Sequence, residues 1–294
     1  MQHTGGPMIH DSLKSFHARG RSALGKGPIA LILLEDEVEV ASTLRHHLDT
    51  GFRTVVAVGS ADIEVPADVA DRIVRVHHDM TADHALTDVV NGVIRNAPGD
   101  WIYYCYNAEY LFFPFCEHRK AGDLTTFATE ERRDSILTYV VDLYASDLDK
   151  HPSAVALEDA HLDRTGYYAL ARTAPDRDFL DRQLDFFGGL RWRFEEHVPS
   201  NRRRIDRISL FRAQPGLKLR DDHTFNVEEY NTYACPWHHS ITGAVCSFRT
   251  AKALRRNPGS RHVVTKFLWH NSTEFKWHSR QLMDLGLMEP GQWF

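Results

Sequence analysis

Apolar positions along the chain fall into short continuous runs separated by stripes at helical spacing. Pro28 to Leu34 is an apolar run of strand length. Val40, Ala41, Leu44 and Leu48 follow with the period of a helix, and Gly51 stops it. Thr54 to Val58 reads as a second buried strand and Arg72 to Val76 as a third. Leu86, Val89, Val90, Val93 and Ile94 form another helical stripe, broken at Pro98-Gly99, and Trp101 to Cys105 is a fourth strand. Buried strands alternating with helices at this pitch predict an α/β fold around a mostly parallel sheet.

The flanking segments are less regular. Residues 1–27 carry Gly, His, Ser and Arg without a sustained apolar period and are expected to be a flexible arm. Ile136, Leu137, Val140, Val141 and Tyr144 predict a helix from about Glu130 to Ser146, with Glu130 and Glu131 at the positive end of its dipole. Lys150 to Pro175 has no clear period. Phe179, Leu180, Leu184 and Phe187 suggest a further helix closed by Gly188-Gly189. Arg207 to Phe211 alternates like a strand, Phe248 to Arg256 reads as a helix, and a last amphipathic helix is expected near Glu274 to Leu285. The expected organisation is an arm over 1–27, a main domain over 28–250 and a helical C-terminal extension over 251–294 packed on that domain.

Composition narrows the function classes. A chain of 294 residues with 43% apolar and 26% charged residues has ample length and the mixture of a soluble globular protein. Its 35 basic and 40 acidic side chains give a net charge of -5, which disfavours a bulk polyanion binder, so no nucleic-acid partner is expected. No stretch approaches the roughly 20 apolar residues that span a bilayer, and the N-terminus has no apolar core of a secretion signal. Cys105, Cys116, Cys235 and Cys246 are scattered and form no C-x-x-C pair. They read as reduced thiols, and the expected location is cytoplasmic.

Ligands of such a sheet bind beyond the carboxyl ends of its strands. The common cradles are absent: there is no G-x-G-x-x-G after the first strand, no G-x-x-x-x-G-K-[ST] and no G-x-S-x-G. Dinucleotide dehydrogenases, P-loop kinases and ordinary α/β hydrolases therefore lose weight.

Several segments, in order, resemble a family-2-type glycosyltransferase of the GT-A fold. Leu33-Leu34-Glu35-Asp36-Glu37 and His46-His47-Leu48-Asp49-Thr50-Gly51-Phe52 resemble the end of that family's first strand and its first helix. Ala57-Val58-Gly59-Ser60-Ala61-Asp62 lies where the family carries its nucleotide-contacting stretch. Asn91 and Gly99-Asp100-Trp101 precede Trp101-Ile102-Tyr103-Tyr104-Cys105-Tyr106-Asn107-Ala108-Glu109-Tyr110-Leu111, which resembles the Asp-x-Asp-Glu-Phe-Leu metal motif. Phe187-Gly188-Gly189-Leu190-Arg191-Trp192-Arg193 resembles the acceptor-side loop, Arg207 to Arg212 the strand after it, and Cys246-Ser247-Phe248-Arg249 a later Leu-His-Phe-Lys segment.

The resemblance implies a GT-A-like sheet and transfer of a sugar from a nucleotide-sugar donor to a glycan or lipid-linked acceptor. It also implies a manganese or magnesium ion on the donor diphosphate, held by carboxylate oxygens. The standard ligands are missing: the two aspartate positions fall on Tyr106 and Ala108, and the position of the completing histidine falls on Ser247. No metal ligand is therefore assigned, and metal-independent transfer is expected, with guanidinium groups on the leaving diphosphate. Glu35, Glu37, Gly59, Ser60, Asp62 and Asn107 are the expected donor side. Gly188, Gly189, Arg191, Arg193, His238, His239 and Arg249 are the expected acceptor and diphosphate side. Glu195 and Glu109 are the candidate catalytic carboxylates, with Glu196, Glu158 and Asp159 as lesser acids.

Two competing classes stand beside this one. A catalytically degenerate GT-A domain would bind a glycan or a protein and turn over no donor. A zinc-dependent hydrolase would use the histidines, for which Cys235-Pro236-Trp237-His238-His239 with Cys246 is the best soft-metal grouping, though its spacing matches no standard zinc ribbon. His46 and His47 are more simply packing residues of the first helix. Arg202-Arg203-Arg204 reads as a solvated loop or as a peripheral contact with an anionic membrane surface.

Overall fold

The computed structural model describes residues 8–174, 176, 178–232 and 240–293. The chain separates into two discontinuous units. One comprises Met1–Tyr110, His118–Ile136 and Ile208–Asn231, the other Leu111–Glu117, Leu137–Arg207 and Thr232–Phe294. The division runs through the single domain expected over 28–250 rather than along its ends.

The first unit is built on parallel strands β1 (Met8–His10), β2 (Ile29–Leu34), β3 (Thr54–Gly59), β4 (Val74–His77) and β5 (Trp101–Tyr106), in the order β1-β4-β3-β2-β5. The strand Asp206–Arg212 adds antiparallel to β5, with Leu210 opposite Tyr103. Every residue of β2 and of β5 is buried, as parallel strands covered on both faces require. The helices are α1 (Leu13–Arg19), α2 (Arg21–Leu24), α3 (Val40–Asp49), α4 (Ala67–Ala70), α5 (Ala85–Asn96) and α6 (Ala121–Glu130). Val40, Thr43, Leu44 and His47 are the buried positions of α3, and Val89, Val90, Gly92 and Val93 are among those of α5. The fold is thus α/β, a mostly parallel mixed sheet flanked by helices.

The described part of the expected arm is ordered structure. β1 pairs with β4, Met8 opposite Val74 and His10 opposite Val76, and α1 is closed by a Ser12–Ser15 capping box. Elements this short carry too few periods to register in an apolar pattern, and the buried residue of α1 is Phe16 alone.

Three strands straddle the division, β6 (Glu109–Phe112), β7 (Ser135–Asp142) and the strand Asp206–Arg212 already described. The second unit adds β8 (Tyr144–Ala145), β9 (Ala160–Asp163), β10 (Tyr168–Thr173) and β11 (Phe179–Phe187). After β12, the Asp206–Arg212 strand, come β13 (Gly243–Ser247) and β14 (Ser272–Glu274), with helices α7 (Gly189–Arg193), α8 (Arg249–Arg256) and α9 (Ser279–Asp284). β13 runs parallel to β7, Ser247 opposite Asp142. β14, β9 and β8 form a small antiparallel sheet, and β10 and β11 a hairpin with Tyr168 opposite Phe187. Tyr144, Leu148, Ala154, Leu190, Ala251, Leu254, Val264 and Phe267 make one core of this unit.

Three expected helices change. Residues 135–142 are strand β7, because Ile136 to Val141 is a near-continuous run with β-branched members and fits a strand buried on both faces. Phe179–Phe187 is strand β11, with Phe179, Leu184, Phe186 and Phe187 opposite residues of β10. The helix expected over 274–285 shrinks to α9, and β14 before it pairs with β9, Ser272 opposite Asp163. The C-terminal extension is therefore mixed rather than helical, although α8 matches the helix expected at 248–256.

Candidate functional site

In the first unit β2 lies between β3 and β5, so the chain winds outward in opposite directions on its two sides. Such a reversal opens a crevice at the carboxyl ends of the two central strands, the usual ligand position of open α/β sheets. Here those ends carry Glu35 to Val38 after β2 and Asn107-Ala108 after β5. Glu35 is half-buried and Glu37 exposed.

Asn107 is fully buried and clasps the loop after β2. Its Oδ1 accepts from the Glu35 N–H at 2.8 Å, while its Nδ2 donates to Asp36 Oδ1 at 2.7 Å and to the Val38 carbonyl at 2.8 Å. The next residue, Ala108, has a left-handed φ of 60° and donates its N–H to Thr43 Oγ1 at 2.9 Å. Glu109 is also fully buried, and its Oε2 accepts the Tyr106 N–H at 2.9 Å. Asn107, expected on the donor side, and Glu109, a candidate catalytic carboxylate, thus brace the backbone around the crevice. The divalent ion that the resemblance implies does not fit this donor set: Tyr106 and Ala108 offer no carboxylate, and Glu109 is turned to a backbone amide. Among the described residues no group of three His, Cys, Asp or Glu side chains could hold a metal.

On the far side of β2, Gly59 ends β3. A Cβ there would stand 2.7 Å from Leu34 Cβ and 2.8 Å from the Leu34 carbonyl, so the neighbouring strand itself demands glycine. The loop beyond, with half-buried Ser60 and exposed Asp62, is organised by Arg75. That guanidinium is buried and donates to the carbonyls of Ser60, of Ala57 at 3.2 Å, of Ile63 at 3.3 Å and of Val76 at 3.4 Å. No carboxylate among the described residues pairs with it, and burial lowers its pKa. Sequence reasoning missed Arg75; its signal is an arginine at the centre of an apolar strand.

His47 belongs to the core. Its ring stacks on Tyr103 at 5.3 Å, its Nδ1 meets the Thr43 carbonyl at 2.8 Å, and burial with His46 alongside holds its pKa down at about 3. It is therefore neutral at physiological pH.

In the second unit the expected acceptor loop is tightly built. A Cβ on Gly188 would fall 2.2 Å from the Tyr167 ring, and one on Gly189, at φ 62°, would fall 2.9 Å from Asp142 Oδ2. Asp142 closes β7 at 1% exposure and accepts the Arg191 N–H at 3.3 Å. Burial pushes its carboxyl pKa up, against the pull of Arg191. Arg191 also donates to Thr250 Oγ1 at 3.1 Å and to the Arg204 carbonyl at 2.7 Å. Arg193 donates to Asp163 at 3.0 Å and lies over Trp269 at 4.6 Å, while Trp269 Nε1 and the Tyr144 hydroxyl donate to the same carboxylate. Both guanidiniums are thus held inside the unit. Glu195 is exposed and pairs with Arg203 at 3.3 Å, and Asp159 caps Ser146. Arg249 is half-buried at the start of α8, its N–H bonded to Ser247 Oγ.

The structure groups Glu35, Glu37 and Asn107 at one crevice, and Gly188, Gly189, Arg191 and Arg193 at one turn. His238 and His239, with the Cys235–His239 grouping, lie outside the described residues. Asp142 and Asp163 were missed; the signal for Asp142 is a lone carboxylate ending a run of buried strand residues. No helix among the described residues is long and apolar enough to cross a membrane. No protein-family model matches the chain, and no curated protein matches it.

Proposed function

We propose that this chain is a glycosyltransferase-type protein of the GT-A class, moving a sugar from a nucleotide-sugar donor to a glycan or lipid-linked acceptor without an Asp-x-Asp metal. The reversal of strand order at β2 carries the reading, because the segments that resemble donor motifs meet the carboxyl ends of β2, β3 and β5. On this reading Glu35, Glu37, Ser60 and Asp62 meet the nucleotide, with Asn107 and Glu109 shaping the loops that receive it. Gly188, Gly189 and Glu195 serve the acceptor, with Glu195 as the base on its hydroxyl. Arg191, Arg193 and Arg249 are the cations assigned to the leaving diphosphate.

One observation favours the second reading, a non-catalytic module that binds a glycan or protein. Asn107, Glu109, Arg191 and Arg193 all spend polar groups on bonds within the protein. A thermal-shift screen of UDP-, GDP-, CMP- and dTDP-sugars separates the two, each donor run with manganese, with magnesium and with EDTA. A ligand that binds only the folded chain raises Tm by mass action. A rise that survives EDTA, followed by donor turnover, is the outcome expected of the transferase. A rise only with manganese overturns the metal-free assignment, and no rise with any donor leaves the binding module.

A further inference from the structure

The segment Met8–Arg19 docks on the first unit beside three histidines with buried ring nitrogens that make no hydrogen bond of ordinary geometry, His10 Nε2, both nitrogens of His17 and His78 Nε2, although the Asp88 backbone stands close enough to His17 to favour its protonated form. His10 sits in β1, 8% exposed, with its ring edge-on to Phe16 at 5.3 Å; Phe16 in turn lies 5.4 Å from the His17 ring. His17 projects from α1 onto α5 at Gly92. A Cβ at position 92 would stand 2.0 Å from His17 Cε1 and Nε2, so a helix-interior glycine, a residue that costs about 1 kcal/mol relative to alanine, is kept where the imidazole lies. His78 follows β4, the strand on which β1 is zipped.

An imidazole inserted in this way is accommodated neutral. A protonated ring needs acceptors for both N–H groups, and a buried charge without them is strongly disfavoured. The charged and titratable groups around the pair are mixed. From α5 come Asp88 and Arg95, from beyond β4 comes His78, from α1 Arg19, and from the β1–α1 turn Asp11. Arg21 of α2 is occupied by Asp100. For both His17 and His10, burial is the largest influence and lowers the pKa; Arg95 and Arg19 respectively reinforce it, and Asp88 and Asp11 oppose it.

We propose that Met8–Arg19 is an acid-released latch: docked while His10 and His17 are neutral, and lifted from β4 and α5 when they take up protons. Gly20, at φ 55°, and Gly25, at φ 61°, flank α2 and give the segment a place to swing. Release uncovers the edge of β4, a row of backbone groups able to pair with another strand.

The sign is fixed by linkage. Burial lowers the pKa of the docked histidines, so the released ones hold more protons as pH falls through about 6.5 and docking weakens. Each histidine therefore raises the opening equilibrium by at most about ten-fold between pH 7.5 and 5.5.

The test is amide hydrogen exchange on the full chain at pH 7.5 and 5.5, corrected for the intrinsic pH dependence of exchange. Amides of 9–19 are compared with those of β2 and α5, and His17→Gln and His10→Gln variants are run alongside. The expected result is a loss of protection confined to 9–19, at most about hundred-fold, and diminished by each substitution. Equal loss in β2 and α5, no loss at pH 5.5, or an undiminished loss in the double variant would overturn the latch. If the double variant does not fold, His17→Asn tested singly carries the same expectation.

Discussion

The side-chain amide of Asn107 and the carboxylate of Asp36 are joined at 2.7 Å, which ties the end of β5 to the loop after β2 at the point where the sheet reverses direction. With its bonds to Glu35 and Val38, the Asn107 side chain closes three hydrogen bonds in full burial. Asn107→Ala should therefore cost about 2–4 kcal/mol, since buried groups left unpaired are expensive. Asn107→Asp should cost at least as much, because it sets a second carboxylate against Asp36. Urea unfolding measures both, and a loss below about 0.5 kcal/mol would assign Asn107 to ligand contact instead.

Arg75 makes a parallel prediction one strand further out. Arg75→Met strands the carbonyls of Ala57, Ser60, Ile63 and Val76, and a loss of about 2–4 kcal/mol is expected. Arg75→Lys, with three donors on a compact head, should recover part of it. The local readout is exchange of the Ile63 amide, which bonds the Ser60 carbonyl at 3.2 Å. It should lose protection in both variants before the β2 amides do. If a donor nucleotide binds the wild type, its affinity should fall in step with that protection.

The parts of the fold that were legible were those with long periods. β2, β3 and β5 are runs of buried residues that could sit nowhere but inside a sheet, and α5 has a full apolar stripe. β7 and β11 were misread because a run such as Ile136 to Val141 satisfies helical spacing as well as strand burial, and only its pairing partners decide. At the candidate crevice the strand ends were legible, and the hydrogen-bond partners of their side chains were not. Asn107 and Glu109 flank the turn that ends β5, but whether a carboxylate at a strand end faces a ligand or a backbone N–H depends on the left-handed Ala108 between them. The partners of Arg191 and Arg193 were out of reach because Asp142 and Asp163 come from strands some 30 to 50 residues earlier.

The glycines separate crowding from backbone conformation. Gly59 has no left-handed φ but faces Leu34 backbone and side chain within 2.8 Å, so Gly59→Ala should cost about 3 kcal/mol through overpacking between β2 and β3. Gly216 has φ 82° and nothing within 4 Å of a Cβ, so Gly216→Ala should cost only about 1 kcal/mol, the penalty of a left-handed alanine. Gly189→Ala combines both effects against Asp142 and should be the worst of the three. Denaturation midpoints rank them, and an inverted order would show that the strands relax freely at Gly59.

His47 and Asp142 bend the acid stability profile in opposite directions. His47 titrates at about 3 when folded and near 6.5 when unfolded, so between those values the unfolded chain holds the extra proton and stability falls as pH falls. Carried to pH 3, this amounts to a loss on the order of 4 kcal/mol. Asp142 has a raised folded pKa, so just above the ordinary aspartate value the folded chain holds the extra proton and stability recovers as pH falls. Unfolding free energy measured from pH 7.5 to 4.5 should therefore decline with a slope of about 1.4 kcal/mol per pH unit from His47 below pH 6. His47→Gln should remove that slope while lowering stability at pH 7.5 through the lost stacking on Tyr103. Asp142→Asn should steepen the remaining acid loss. An unchanged slope in His47→Gln would mean that the ring accepts a proton in place, contrary to its burial between Tyr103 and the Thr43 carbonyl.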